Sequence, residues 1–170
     1  MTIAKNTADT DYDNGEGQDG GGIYNDTGRV VYLVNTIIAD NKDESRAGGD
    51  VAHEYAGTGT WDSGGHNLVW RGSRFTPSEL EPQDPRLKPL HYYGGLTHTH
   101  ALRLRSPAID TGDNTAFLDA LPHADFPLAL VRLIGGYERY DQRGHPFDRG
   151  VDGNGDGAKT IDIGAVEKQP

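Results

Sequence analysis

At 170 residues the chain has the length of one domain and enough residues to bury a sizeable core. A formal net charge of -10 argues against nucleic-acid phosphates and anionic membrane surfaces as partners, and the lack of cysteine excludes disulfides and thiolate metal sites. With 24 glycines and a hydrophobic content of 34%, only thin apolar segments separated by many turns remain, which suits an all-β chain.

Taken in order, Thr2–Asn6 reads as a short strand ending in Asn. Asp9–Gly22 is acidic and glycine-rich, a solvated excursion with no core of its own. Gly20–Asn25 turns into a second strand that also ends in Asn. Val30–Ile38, VVYLVNTII, is the strongest strand signal, β-branched and largely apolar, and it finishes Ala39-Asp40-Asn41. Two echoes follow. Thr2–Asn6 returns as Thr36–Asn41, and Gly21–Asn25 returns as Gly48–His53. Spacings of roughly 27 to 34 residues belong to stacked solenoid repeats. Short strands with Gly or Asn turns and no helical periodicity between them lead to the expectation of a parallel β-helix, in which Asn at equivalent turns forms ladders.

Thr58–Trp61 and His66–Trp70 would continue the coil. Thr76–Leu80 reads as a brief capped turn, and Pro82, Pro85 and Pro89 then interrupt regular pairing, since proline lacks the ladder donor. Leu96–Leu104 alternates as a strand. A partly helical insertion is expected around Thr115–Leu121, then an apolar run at Leu128–Ile134. Thr160–Glu167 alternates again, as a closing strand. The chain is thus read as one domain, with coils over 1–105 and a C-terminal capping region over 106–170.

Before that closing strand, VDGNGDG sets oxygen-bearing side chains at Asp152, Asn154 and Asp156 with glycines between and after them. Such a loop curls tightly, and converging oxygens suit calcium, which takes about 6 to 8 oxygen ligands. The loop opens like an EF-hand but has Ile163 where that pattern has a bidentate Glu. Asp162, Asp148 or the carbonyl of Ala158 are the alternatives for closing the cage. The metal set is therefore Asp152, Asn154, Asp156, Ala158 and Asp162. Read without a metal, the same stretch is a glycine-rich surface turn with solvated carboxylates.

GGGIYN (20–25), NTIIADN (35–41), GHNLV (65–69), DPRLKPL (84–90), GGLTHTHAL (94–102), SPAIDTGDN (106–114), DQRG (141–144) and DIGAVE (162–167) occur in that order. Together they resemble the C-terminal part of bacterial right-handed parallel β-helix surface proteins, the choice-of-anchor Q domain group, related in style to polymorphic outer-membrane protein repeats. The resemblance implies the end of a right-handed β-helix and an extracellular or cell-envelope setting. It implies little about activity. The chain departs from the pattern over 115–139, in having few coils, and in having no apolar segment after Met1 that reads as a signal peptide.

Other candidates carry bland alternatives. Trp61, Trp70, Tyr92 and Tyr93 offer flat faces for stacking on sugar rings, or simply fill the last coils. His98 and His100 share a strand face and with His91 could hold a transition metal, or are ordinary strand residues. Arg103, Arg105, Arg143 and Arg149 are available as the base of a polysaccharide lyase, but no spacing singles out a catalytic set. Asp110, Asp141 and Arg143 read better as a buried polar network joining the SPAID segment to the terminal loop. The expected function is a non-catalytic, calcium-stabilised extracellular module for adhesion, display or carbohydrate binding. The alternatives are a polysaccharide lyase or glycoside hydrolase, and a subunit that self-assembles through an uncovered coil edge.

Overall fold

The computed structural model describes residues 1–8, 21–25, 27–43, 55–56, 59–70, 83–115 and 139–170. They fall into two compact units, Thr2–Asp84 and Pro85–Pro170, with Met1 grouped with the latter.

In the first unit the described residues form short strands: β1 (Thr2–Ala4), β2 (Thr7–Ala8), β3 (Ile23–Tyr24), β4 (Val30–Leu33), β5 (Ile37–Ala39), β6 (Lys42–Asp43), β7 (Tyr55–Ala56), β8 (Thr60–Ser63) and β9 (Leu68–Val69). Each of β1 to β5 pairs in parallel with the strand four places on. β1 lies beside β5, β2 beside β6, β3 beside β7, β4 beside β8 and β5 beside β9. The small parallel sheets of the described residues are consistent with an all-β chain, with paired residues 30 to 35 positions apart in sequence.

Sequence and register agree at the first echo. Ile3 pairs with Ile38 and Ala4 with Ala39, which sets Lys5 against Asp40 and Asn6 against Asn41. Lys5 and Asp40 both take left-handed backbone, φ 59° and 58°, so the same corner is made twice. Their side chains pair at 2.7 Å across an exposed surface, an interaction of small energetic weight. The asparagines matter more. Asn41 is fully buried; its Oδ1 accepts from the backbone and side-chain nitrogens of Asn6 at 3.1 and 2.8 Å, and its Nδ2 donates to the Ile3 carbonyl at 3.0 Å. This is the ladder expected from the sequence. Asn67, also fully buried, repeats the device by accepting from the Thr36 amide and donating to the Leu33 carbonyl and the Ser63 hydroxyl. Buried corners need every amide satisfied, and Asn supplies a donor and an acceptor at once.

Two expectations are corrected here. VVYLVNTII is not one strand: the chain turns at Asn35, φ 47°, where the Thr36 hydroxyl donates to the Val34 carbonyl. Its apolar residues are continuous because both arms of the turn face one interior, where Leu33, Ile38 and Val69 form a buried cluster flanked by Ile23, Val31 and Trp61. The second echo is also out of register. Ile23 pairs with Tyr55 rather than with a residue of the Gly48–His53 stretch. Among the described residues the parallel pairs end at Val69.

The second unit is held by antiparallel bridges and turns. Leu87 faces Leu102, His91 faces Thr99 and Tyr140 faces Asp148. Leu96–Leu104 is therefore no continuous strand; fully exposed Leu96 sits in a turn after Gly94 and Gly95, whose φ values of 98° and 80° favour glycine. Thr160–Glu167 is not a closing strand either. Asp162, Ile163 and Gly164 are buried in succession and the backbone bends through Gly164, φ 110°, so the alternation in the sequence does not track exposure. The expected insertion at Thr115–Leu121 reaches beyond the described residues after Thr115, and Thr76–Leu80 and Leu128–Ile134 lie wholly outside them.

Candidate functional site

The VDGNGDG loop is a tight turn closed by its own side chains. Asp152 Oδ1 accepts from the amides of Gly155 and Asp156 at 2.6 and 3.1 Å, and its Oδ2 accepts from Gly157 at 2.9 Å. Asn154 Oδ1 accepts from the Asp156 amide, and Asp156 accepts from the Ala158 amide at 2.8 Å and the Asn154 side-chain nitrogen at 3.1 Å. Gly155 and Gly157, φ 83° and 91°, supply the curl that the spacing required. The Ala158 amide, helped by Asn154, holds the Asp156 carboxyl below its ordinary range, so it is an anion at neutral pH.

The structure thus brings Asp152, Asn154, Asp156 and Ala158 together. Asp162 is placed differently. It is buried, and its two oxygens are engaged by the amides of Asp110 at 2.8 Å and Lys168 at 2.5 Å. The carboxylate that reaches the loop is Asp110, accepting from the amides of Gly153 at 3.3 Å and Asn154 at 2.7 Å. Sequence reasoning put Asp110 in a network with the terminal loop but missed that it grips the loop backbone directly. Its left-handed φ of 52° was the hidden signal, since Asp tolerates that conformation. Among the described residues no three His, Asp or Glu side chains converge as metal ligands. A cation at this loop would draw on Asp152 and Asp156 together with amide oxygens.

Beneath the loop lies a buried charged cluster. Asp141 and Arg143 make an ion pair at 2.5 Å; Asp141 also accepts from the Glu167 amide, and Arg143 donates to the Glu167 carbonyl. Glu167, 1% exposed, accepts from Arg149 at 3.2 Å and from the Asp162 amide at 2.9 Å. Residues 108–114 run alongside the closing stretch, with Ala108 accepting from Ile163, Gly112 donating to Ile161, and Asn114 bonding the backbone of Lys159 and Ile161. Burial, offset in part by amide donors and Arg149, raises the Asp162 carboxyl to about 6 and the Glu167 carboxyl to about 7; each carboxylate's neighbours include another acid, Asp110 and Asp162 respectively.

Both groups bind a proton more tightly folded than unfolded. Their stabilising contribution is therefore complete below about pH 4 and lost as pH rises through their folded values. The buried Met1 amino group, lowered to about 5 by burial and by Arg149, acts with the opposite sign over the same window, so the acids are read by difference. In urea denaturation across a pH series, Glu167→Gln is expected to lose less unfolding free energy than the native chain between about pH 5 and about pH 8, by on the order of 2 kcal/mol. Parallel pH profiles for the two would contradict this.

The remaining candidates are dispersed. Trp61 and Trp70 belong to the first unit, both half-buried, and Trp61 packs against the Leu33 cluster. Tyr92 and Tyr93 belong to the second; Tyr92 is 59% exposed, while Tyr93 is half-buried with its hydroxyl donating to the Pro89 carbonyl. His91 and His98 stack at 6.3 Å between centroids, and the His100 Nδ1 lies 2.8 Å from the Lys88 carbonyl, as ordinary ribbon residues would. Among the described residues no helix is long and apolar enough to cross a membrane. Comparison with protein-family models, curated proteins and solved structures finds no match to this chain.

Proposed function

We propose that this chain is a non-catalytic module of a secreted or cell-surface protein, built on a right-handed parallel β-helix and stabilised by calcium, that serves adhesion, display or carbohydrate binding. The observation that carries this reading is the repeating register, in which every strand from β1 to β5 pairs in parallel with the strand four places on. The return to the same register through the same left-handed corner at Lys5 and Asp40 supports winding, and the right-handed preference of parallel crossovers, about 98% of cases, supports the right hand. Winding of this kind exposes long flat faces, a geometry suited to extended sugar chains.

The loop's side-chain oxygens suit a hard cation: two carboxylates and the Asn154 amide within one exposed turn. Bound calcium would neutralise Asp152 and Asp156 and fix the loop that Asp110 anchors. Chelation is then expected to lower the melting temperature by several degrees, since filling a site to about 100 times its dissociation constant adds about 2.7 kcal/mol. The double change Asp152→Ala with Asp156→Ala should remove the dependence on chelator. A melting curve indifferent to chelator refutes the assignment.

For function, a glycan array run beside an absorbance assay for unsaturated uronate products separates module from enzyme. Binding without product is expected. Product formation abolished by a single Arg→Ala change would establish a lyase instead.

A further inference from the structure

We propose that the antiparallel ribbon over residues 86–105 is a docking surface for an acidic polysaccharide; the ligand class rests on the carbohydrate-binding reading above. Residues 85–109 hold Arg86, Lys88, Arg103 and Arg105 with His91, His98 and His100, and no Asp or Glu. In a chain of net charge -10 this is a local reversal of sign. The backbone gathers these groups. The Lys88 amide donates to the Ala101 carbonyl at 2.8 Å and the Arg103 amide to the Arg86 carbonyl at 2.9 Å, bracketing the buried Leu87 and Leu102. Across the bridge of Leu87 with Leu102, Arg86 stands opposite Arg103 and Lys88 opposite Ala101. The Arg86 guanidinium donates to the Arg105 carbonyl, drawing a third arginine into the group.

Lys88, Arg103 and Arg105 form no ion pair with a described carboxylate. Arg86, Arg103 and Arg105 are exposed, and Lys88 is half-buried with its ammonium 5.5 Å from the Tyr93 ring centroid. Apolar surface flanks them, with Tyr92, Leu90 and Leu104 at 59%, 57% and 70% exposure. Cations beside an exposed aromatic ring match a sugar chain that offers carboxylates and flat ring faces together.

The acidic remainder of the chain does not cancel this attraction, because fields between exposed charges fade over about 8 Å at physiological ionic strength.

The test is binding of the intact chain to oligogalacturonate and to dextran, measured by calorimetry at low and high salt. Binding to oligogalacturonate that weakens with salt, and is lost by about tenfold in Arg103→Glu with Arg105→Glu, is expected, with no uptake of dextran. Arg103 Nε also donates to the Leu87 carbonyl, so Arg105→Glu alone is the second variant, its fold checked by circular dichroism. Equal binding of dextran, insensitive to salt and to both variants, overturns this proposal while leaving the carbohydrate-binding reading intact. Failure to bind any glycan overturns both. A preference for single-stranded nucleic acid or anionic vesicles over oligogalacturonate also overturns it.

Discussion

Replacing Asp141 by alanine is expected to lower the unfolding free energy of the Pro85–Pro170 unit by roughly 3 to 5 kcal/mol, the largest effect of any single truncation described for this chain. Asp141 is 5% exposed and Arg143 9%, so neither charge has water to fall back on. Asp141 Oδ1 and Oδ2 accept from Arg143 Nε at 3.1 and 3.0 Å, and Oδ2 accepts from its terminal nitrogen at 2.5 Å and from the Glu167 amide at 2.9 Å. Removing the carboxylate leaves a buried guanidinium that, among the described residues, faces the Glu167 carbonyl and the Phe147 ring, whose centroid is 3.9 Å from Arg143 Cζ. Removing both partners should cost less than removing Asp141 alone, because an uncompensated charge is worse than none. A denaturant series on Asp141→Ala, Arg143→Met and the double variant measures the difference. A loss below about 1 kcal/mol for Asp141→Ala would show that the pair is solvated.

Gly95→Ala is expected to be nearly as damaging, on the order of 3 kcal/mol. Two costs coincide there. The φ of 80° is strained for any residue with a side chain, and an added Cβ would lie 2.5 Å from both the Cα and the carbonyl oxygen of Arg143. Backbone cannot swing aside as a side-chain tip can, so the turn over Gly94 and Gly95 must lift off the DQRG segment. Gly144→Ala is the control, with a similar φ of 77° but nothing within 4 Å of its added Cβ. It should cost only about 1 kcal/mol. Equal melting temperatures for the two variants would mean that the close approach is absent.

The parts of the fold legible in the sequence were those written by local chemistry. TIAKN and NTIIADN share an Asn after a β-branched pair, and the buried Asn41 ties its strand to the earlier one through Asn6 and the Ile3 carbonyl. VDGNGDG folds back on itself as its glycines require. What was hidden depended on backbone conformation or partners far along the chain. Nothing local to VVYLVNTII marks Asn35 as a corner, because the residues on both sides of it are equally apolar and share one interior. Nothing in DIGAVE shows that Asp162 and Glu167 turn inward, since buried acids are legible only once Arg149, Asp110 and the Lys168 amide are in place. The alternation of Leu96–Leu104 misled for the opposite reason: a two-residue period also arises when a glycine turn throws a leucine into water.

The spacing of the paired strands has a bearing on how such a chain tolerates change. β1 to β2 and β5 to β6 are separated by the same short corner, whereas the stretch from β2 to β3 is longer than its counterpart from β6 to β7. Length therefore differs between the β2–β3 and β6–β7 connections and is equal at the two corners that hold Asn6 and Asn41. Insertions accumulating over generations would collect between β2 and β3 and between β6 and β7, while the paired asparagine corners keep count.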